Sequence, residues 1–406
     1  MRCGHTICGL LICCSLACAQ GAAEFVSQGR SLKAKGDAVN ALLAFEKAAA
    51  LDPRSAAIQD EIGFLLAATE RQAEAIPHFQ KAIQLDPGFV SAHYHLGVAY
   101  WLAQDPNRSI PELETAARLA PKEAEYRYRL GQAYNAVSHH VEAARELEQA
   151  VALQPMNAAM WNELGLARQS SGDVARAVEA YRRAVELDPK SLDARNNLGI
   201  NLVNTRQADA ALEQFHKVLA LDPSNVMARI NIGFAYLQKA ELDKAVGQFR
   251  GIIADHPDLP IAHYDLGVAL KEKDDLEGAQ KELQRALDLD PNLAEAHYTL
   301  GITCWHTGDF ESTAAHMQAA VKLRPDYAEA YFMLGTALKQ KGDLDGAVPA
   351  LKEAIRLNPA DPGPFNTLGQ VLRQKGDLEG SKAAFADGAR AKAAKDAQQV
   401  DLLRRK

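Results

Sequence analysis

Hydrophobic positions along this chain follow a pattern that recurs every 34 residues. Ala330–Pro359, AYFMLGTALKQKGDLDGAVPALKEAIRLNP, carries its fullest form: a short helix, a Gly-Asp turn, a second helix and a proline stop. Leu334 stands directly before Gly335. Small Ala347 follows twelve residues after the Gly, a large apolar residue comes four later, and a small one three after that. The prolines keep the same step, at Pro53, Pro87, Pro121, Pro155, Pro189, Pro223, Pro257, Pro291, Pro325 and Pro359. So do the glycines, from Gly29 through Gly165, Gly267 and Gly301 to Gly369. The pattern predicts eleven uninterrupted helix pairs over 22–395, about nine-tenths of the 406 residues, which leaves no room for a separate catalytic domain. A fixed period of about 34 residues is the sequence sign of a helical repeat array.

Each marker has a physical reading. The small residue at the twelfth place (Ala41, Ala75, Ser109, Ala143, Ala177, Ala211, Ala245, Ala279, Thr313, Ala347, Ser381) and the Gly mark a close approach of the two helices. A Gly inside a helix costs roughly 1 kcal/mol relative to Ala, so eleven of them need a packing reason. The residue at the sixteenth place, for example Phe79, Tyr181, Phe215, Phe249 or Phe385, is expected to fill the space between one repeat and the next. Gly36-Asp37, Gly172-Asp173, Gly308-Asp309, Gly342-Asp343 and Gly376-Asp377 place Gly in a left-handed position ending the first helix, with Asp capping the second. Pro77, Pro111 and Pro349 fall inside second helices, where local kinks rather than breaks are expected.

These residues in this register resemble the tetratricopeptide-repeat (TPR) family. The resemblance implies an all-α fold, a right-handed superhelical solenoid of antiparallel helix pairs. It also implies that first helices line a concave groove. The places two, three and six before the shared Gly, and one and four after it, then point inward. Asn162, Asn196, Asn197 and Asn231, joined by Asp265, form an amide band there. Tyr94, Trp101 and Tyr128 form one aromatic band; Tyr264, Tyr298, Trp305 and Phe332 form another. Amides both donate and accept, so a row of them suits the backbone of an extended peptide. The row is similar to the asparagine ladder in the repeat arm of O-linked N-acetylglucosamine transferases, whose catalytic domain has no counterpart here. Trp and Tyr are the usual binding hot spots, with Trp101 and Trp305 the leading candidates. The places that carry a carboxylate clamp in one TPR subtype hold Ser91, Tyr94, Glu125, Asn162 and Asp193, which does not suit such a clamp.

Composition changes this picture little. Hydrophobic residues make up 48% and charged residues 24% of the chain, and the formal net charge is −7 with basic residues dispersed, so no nucleic-acid stripe is expected. Residues 1–19 stand outside the array. Arg2, the apolar run Ile7–Leu16 and Ala17-Cys18-Ala19 read as a secretory signal peptide, predicting an exported (periplasmic or secreted) protein with no membrane span after cleavage. A retained anchor and a lipoprotein lipidated at Cys18 are the alternatives. Five of the six cysteines lie in that segment, leaving Cys304, read as a buried, inert thiol. Gln28 in place of Leu suits a wetted first repeat. Ala393 in place of the last Pro predicts one long helix from about Leu378, with 396–406 as a capping extension that ends in Arg404-Arg405-Lys406.

The twelve histidines do not form a recognised ligand pattern. His93, His263 and His297 each stand four before the Gly and read as packing residues with a polar edge; Trp161 holds the same place. His93-x-His95 and His139-His140 lack i, i+4 spacing and a nearby acidic partner. Of His297, Cys304, His306 and His316, only the first two share a helix face. Asp and Glu are placed on solvent faces and at caps. No cofactor, metal or catalytic group is expected. The leading reading is a non-enzymatic, exported scaffold that binds an extended peptide or a helix of a partner protein in the groove. The alternatives are a regulatory or substrate-presenting subunit of a glycosyltransferase or polysaccharide-export complex, and direct carbohydrate binding through the aromatic bands.

Overall fold

The computed structural model describes residues 20–404. Residues 1–19, read from the sequence as a signal peptide, and the last two residues of the Arg-Arg-Lys end lie outside the described residues. Those described form 22 helices in consecutive pairs: residues 20–34, then Ala38–Leu51, and so on to Leu378–Arg404. First helices after the initial one have 13 residues, as in Ala328–Gln340, and second helices have 14, as in Leu344–Leu357. The final helix runs 27 residues, as the missing proline predicts. Two compact units divide inside repeat 6, residues 1–205 and residues 206–406.

The turn chemistry is as the Gly-Asp pairs predict. Gly36, Gly172, Gly308, Gly342 and Gly376 all have positive φ, between 78° and 84°. The following Asp accepts from the backbone N–H three residues on, at 3.0 Å for Asp309 and 2.8 Å for Asp343. The other six turns put a non-glycine residue in the same left-handed position: Glu70, Gln104, Ser138, Arg206, Ala240 and Asp274, with φ from 56° to 65°. The helices that contain Pro77, Pro111 and Pro349 run unbroken. Each proline is the sixth residue of its fourteen-residue helix, just past the first four N–H groups that have no intrahelical partner, so it removes one ladder bond without ending the helix.

The inner packing repeats as strictly as the sequence. A Cβ added at Gly335 would lie 2.5 Å from Leu351 Cγ, and one added at Gly165 would lie 2.6 Å from the Tyr181 ring. The large residue at the sixteenth place therefore presses first on the Gly of its own repeat, which corrects the expectation that it mainly fills the gap between repeats. The deletion of the Gly side chain makes room for the ring. All eleven small residues at the twelfth place are buried. Where that residue carries a hydroxyl, it donates to the Gly carbonyl across the pair: Ser109 to Gly97 at 2.8 Å, Thr313 to Gly301 at 3.2 Å and Ser381 to Gly369 at 2.7 Å.

A further bond ties successive repeats at their joints. In six repeats the side chain four before the Gly reaches back to the carbonyl of the proline six residues earlier. Arg127 Nε donates to Pro121 at 3.2 Å, Trp161 Nε1 to Pro155 at 2.9 Å and Arg195 Nε to Pro189 at 2.9 Å. His93, His263 and His297 use Nε2 on Pro87, Pro257 and Pro291, at 3.1, 2.9 and 3.3 Å. The histidines at this place thus pack with a polar edge, as their register suggested.

Candidate binding surface

In the first unit, first-helix side chains at the inward register form a polar network. Tyr94 Oη donates to Glu125 at 3.5 Å and its ring lies 4.5 Å from that of Tyr126. Arg129 donates to Glu125 at 2.8 Å and to Gln132 at 3.1 Å, and Gln132 in turn donates to Tyr128 Oη at 3.1 Å. Asn197 Nδ2 donates to Asn162 Oδ1 at 3.2 Å, so these two amides pair with each other. Asn196 Oδ1 is buried with no partner. Burial pushes the Glu163 carboxyl up. Trp101 packs against the core cluster around Leu113 and Leu130. Carboxylates hidden from a linear reading also appear. Asp60 is buried and meets His95 Nδ1 at 2.9 Å, and Glu112 meets His93 Nδ1 at 2.6 Å. The acidic partners the sequence spacing failed to supply come from neighbouring helices, and Asp60 and Glu146 are not on solvent faces.

In the second unit, the inward register builds a pocket. Tyr264, Val268, Lys271, Tyr298, Thr299 and Ile302 line a cavity of about 260 Å³ between the first helices of repeats 8 and 9. Both phenols are half-buried and burial raises their pKa values. Tyr298 lies 4.8 Å from Tyr327, whose ring carries the Arg324 guanidinium 3.4 Å from its centroid. Burial pushes Tyr327 up to about 12. Asn231 is half-buried. Asp265 is fully buried, 0% exposed, with both carboxylate oxygens unpaired, and burial raises its pKa to about 7. It does not face solvent as the sequence reading of Asp and Glu supposed. Trp305 lies 4.9 Å from Phe310 of the next helix, and Phe332 meets Gly363 of the next repeat. Both Trp101 and Trp305 are therefore engaged in packing, and the two tyrosines are the pocket's large side chains. Lys271 and Thr299 were missed, although their places, four after and two before the Gly, belong to the inward register.

Cys304 is buried and burial raises its thiol pKa, as expected of an inert sulfur. Among the described residues no helix is long and apolar enough to cross a membrane. Among the described residues no three or more His, Cys, Asp or Glu side chains gather in one place.

Family comparisons agree with the register. Models described as "Tetratricopeptide repeat" match residues 90–123, 138–191, 202–266 and 307–362, and one described as "TPR repeat" matches 65–104 and 269–308. This chain belongs to the tetratricopeptide-repeat family. The solved TPR protein from Parabacteroides merdae is 14% identical over 61% of this chain and 98% of its own, with a TM-score of 0.55. Yeast Tom70 is 14% identical over 93% of this chain and 96% of its own, with a TM-score of 0.51. MamA from Desulfovibrio magneticus RS-1 is 24% identical over 42% of this chain and 97% of its own, with a TM-score of 0.40. No curated protein matches. A TPR array is a protein-interaction scaffold, and the tyrosine pocket and amide network both lie on its first helices.

Proposed function

We propose that this chain is an exported, non-enzymatic scaffold that holds an extended peptide or a helix of a partner protein against its first-helix faces. The observation that carries the reading is the pocket between Tyr264 and Tyr298. Two phenol rings, the Lys271 ammonium and the Thr299 hydroxyl surround a space about the size of one large side chain, over Val268 and Ile302. Aromatic walls with polar tips give contact area at low conformational cost, the usual character of a hot spot. The half-buried Asn162 and Asn197 amides keep donor and acceptor capacity beyond their mutual bond, which suits a peptide backbone without reading its side chains. The export part of the reading rests on the sequence of residues 1–19.

The test is crosslinking capture from fractionated cells. The double variant Tyr264→Ala, Tyr298→Ala is expected to lower partner capture tenfold or more, with helical circular dichroism unchanged. Undiminished capture would overturn the pocket's role. Binding of a purified cell-wall glycan without any partner protein would favour the carbohydrate reading instead. Co-purification with an activity the isolated chain lacks would favour the subunit reading.

A further inference from the structure

The histidine four before the Gly occurs in repeats 3, 8 and 9, and in each its Nδ1 faces the residue fifteen after the Gly, on the second helix. In repeats 3 and 8 that residue is a glutamate, with Nδ1 at 2.6 Å from Glu112 and 2.7 Å from Glu282. The other nitrogen, Nε2, faces the Pro87 or Pro257 carbonyl. In repeat 9 the residue is His316, and the two Nδ1 atoms stand 3.1 Å apart. We propose that His297 and His316 form a two-histidine chelate for a divalent transition-metal ion that favours imidazole, of the Cu(II), Ni(II) or Zn(II) kind.

The tautomers suit this role. The Pro291 carbonyl holds the Nε2 proton of His297, which leaves its lone pair on Nδ1. A backbone carbonyl on the far N–H is the usual support of a metal-ligating histidine. Without metal, His316 Nδ1–H donates to His297 Nδ1. An ion takes the place of that bridging proton, which moves to Nε2 of His316, so no proton is lost. Burial lowers the pKa of both rings, and Asp309 acts in the opposite sense on His316.

The distances suit it too. Two nitrogens 3.1 Å apart, each about 2.0–2.1 Å from a metal, subtend about 95–100°, between tetragonal and tetrahedral angles. The rings now meet nearly head-on, with centroids 5.4 Å apart and planes at 36°. The ion lies off the line between them, so each ring turns by about 40° to bring both lone pairs onto it. Both side chains are half-buried, so solvent reaches the site and water completes the coordination. The ion would clasp the two helices of repeat 9, Ala294–His306 and Phe310–Leu323.

The test uses the full chain, its thiols alkylated with iodoacetamide, stripped with EDTA and titrated with Cu(II) under electron paramagnetic resonance. One equivalent of copper with hyperfine splitting from two nitrogens is expected. His297→Gln and His316→Gln should each weaken binding tenfold or more and abolish that splitting. His316→Glu restores the pair found in repeats 3 and 8. It should keep the wild-type melting temperature in EDTA while losing the two-nitrogen signal, which separates lost ligation from lost folding. The same copper signal in the wild type and both glutamine variants would overturn the assignment, as would a two-nitrogen signal surviving in His316→Glu.

Discussion

Asp265→Asn is expected to stabilise the second unit at neutral pH and to change little at pH 4. The carboxyl is wholly buried, neither oxygen has a partner, and burial lifts its pKa from 3.8 to about 7. In the unfolded chain it ionises near the ordinary value. Between about pH 4 and pH 7, therefore, the unfolded state has released a proton that the folded state keeps. Stability falls as pH rises through that window, and the loss is complete above about pH 7. A gap of about three units at about 1.36 kcal/mol each amounts to about 4 kcal/mol. Asparagine is nearly isosteric, carries no charge and already occupies the same register at Asn197 and Asn231. It keeps the unpaired polar atoms, so the gain is the ionisation part alone. For a unit of this size, about 1 kcal/mol moves the melting temperature by about 2–4 °C, which puts the gain on the order of 10 °C at pH 8. Thermal melts of both proteins at pH 4, 6 and 8, with hydrogen exchange across Pro260–Glu272, measure it. A difference that does not vary with pH, or a less stable variant at pH 8, would refute the reasoning.

Three further substitutions test the repeat's inner logic. Gly335→Ala sets a Cβ 2.5 Å from Leu351 Cγ and 3.2 Å from the Ala347 carbonyl, so a net loss of about 2 kcal/mol is expected in urea unfolding, despite the better helix former. Ala240→Gly relieves a left-handed backbone at φ 56° and should raise stability by about 0.5–1 kcal/mol in the same assay. Ser109→Ala removes the donor to the buried Gly97 carbonyl and should lower stability by about 1 kcal/mol.

The fold was legible because its determinants are local and repeated. Gly335, Ala347 and Leu351 meet within one helix pair, so their spacing alone predicts their contact. The Gly-Asp turns were readable for the same reason, yet only five of the eleven left-handed positions carry glycine. At Glu70 or Ala240 the flanking helices force the geometry on a residue with no preference for it. The inward register was legible as a set of places, and it holds Tyr264, Tyr298, Lys271 and Thr299. Which places are open was not, because that depends on neighbours. Trp305 finds Phe310, Phe332 finds the next repeat, and Asp265 is closed off from water. The pairing of His297 with His316 was likewise invisible, since nineteen residues and a turn separate them.

The bond from the fourth place before the Gly to the preceding proline carbonyl also bears on the chain's mechanics. It crosses the joint between two repeats, where the backbone otherwise turns with few bonds, and so acts as a stay against bending. Its material is unequal: a charged guanidinium at Arg127, an indole at Trp161, an imidazole at His263. At the last joint, Phe365 occupies the place and has no N–H to give the Pro359 carbonyl. Elastic compliance is therefore uneven along the second unit, lower at the joints that His263 and His297 tie than at the one that Phe365 leaves untied.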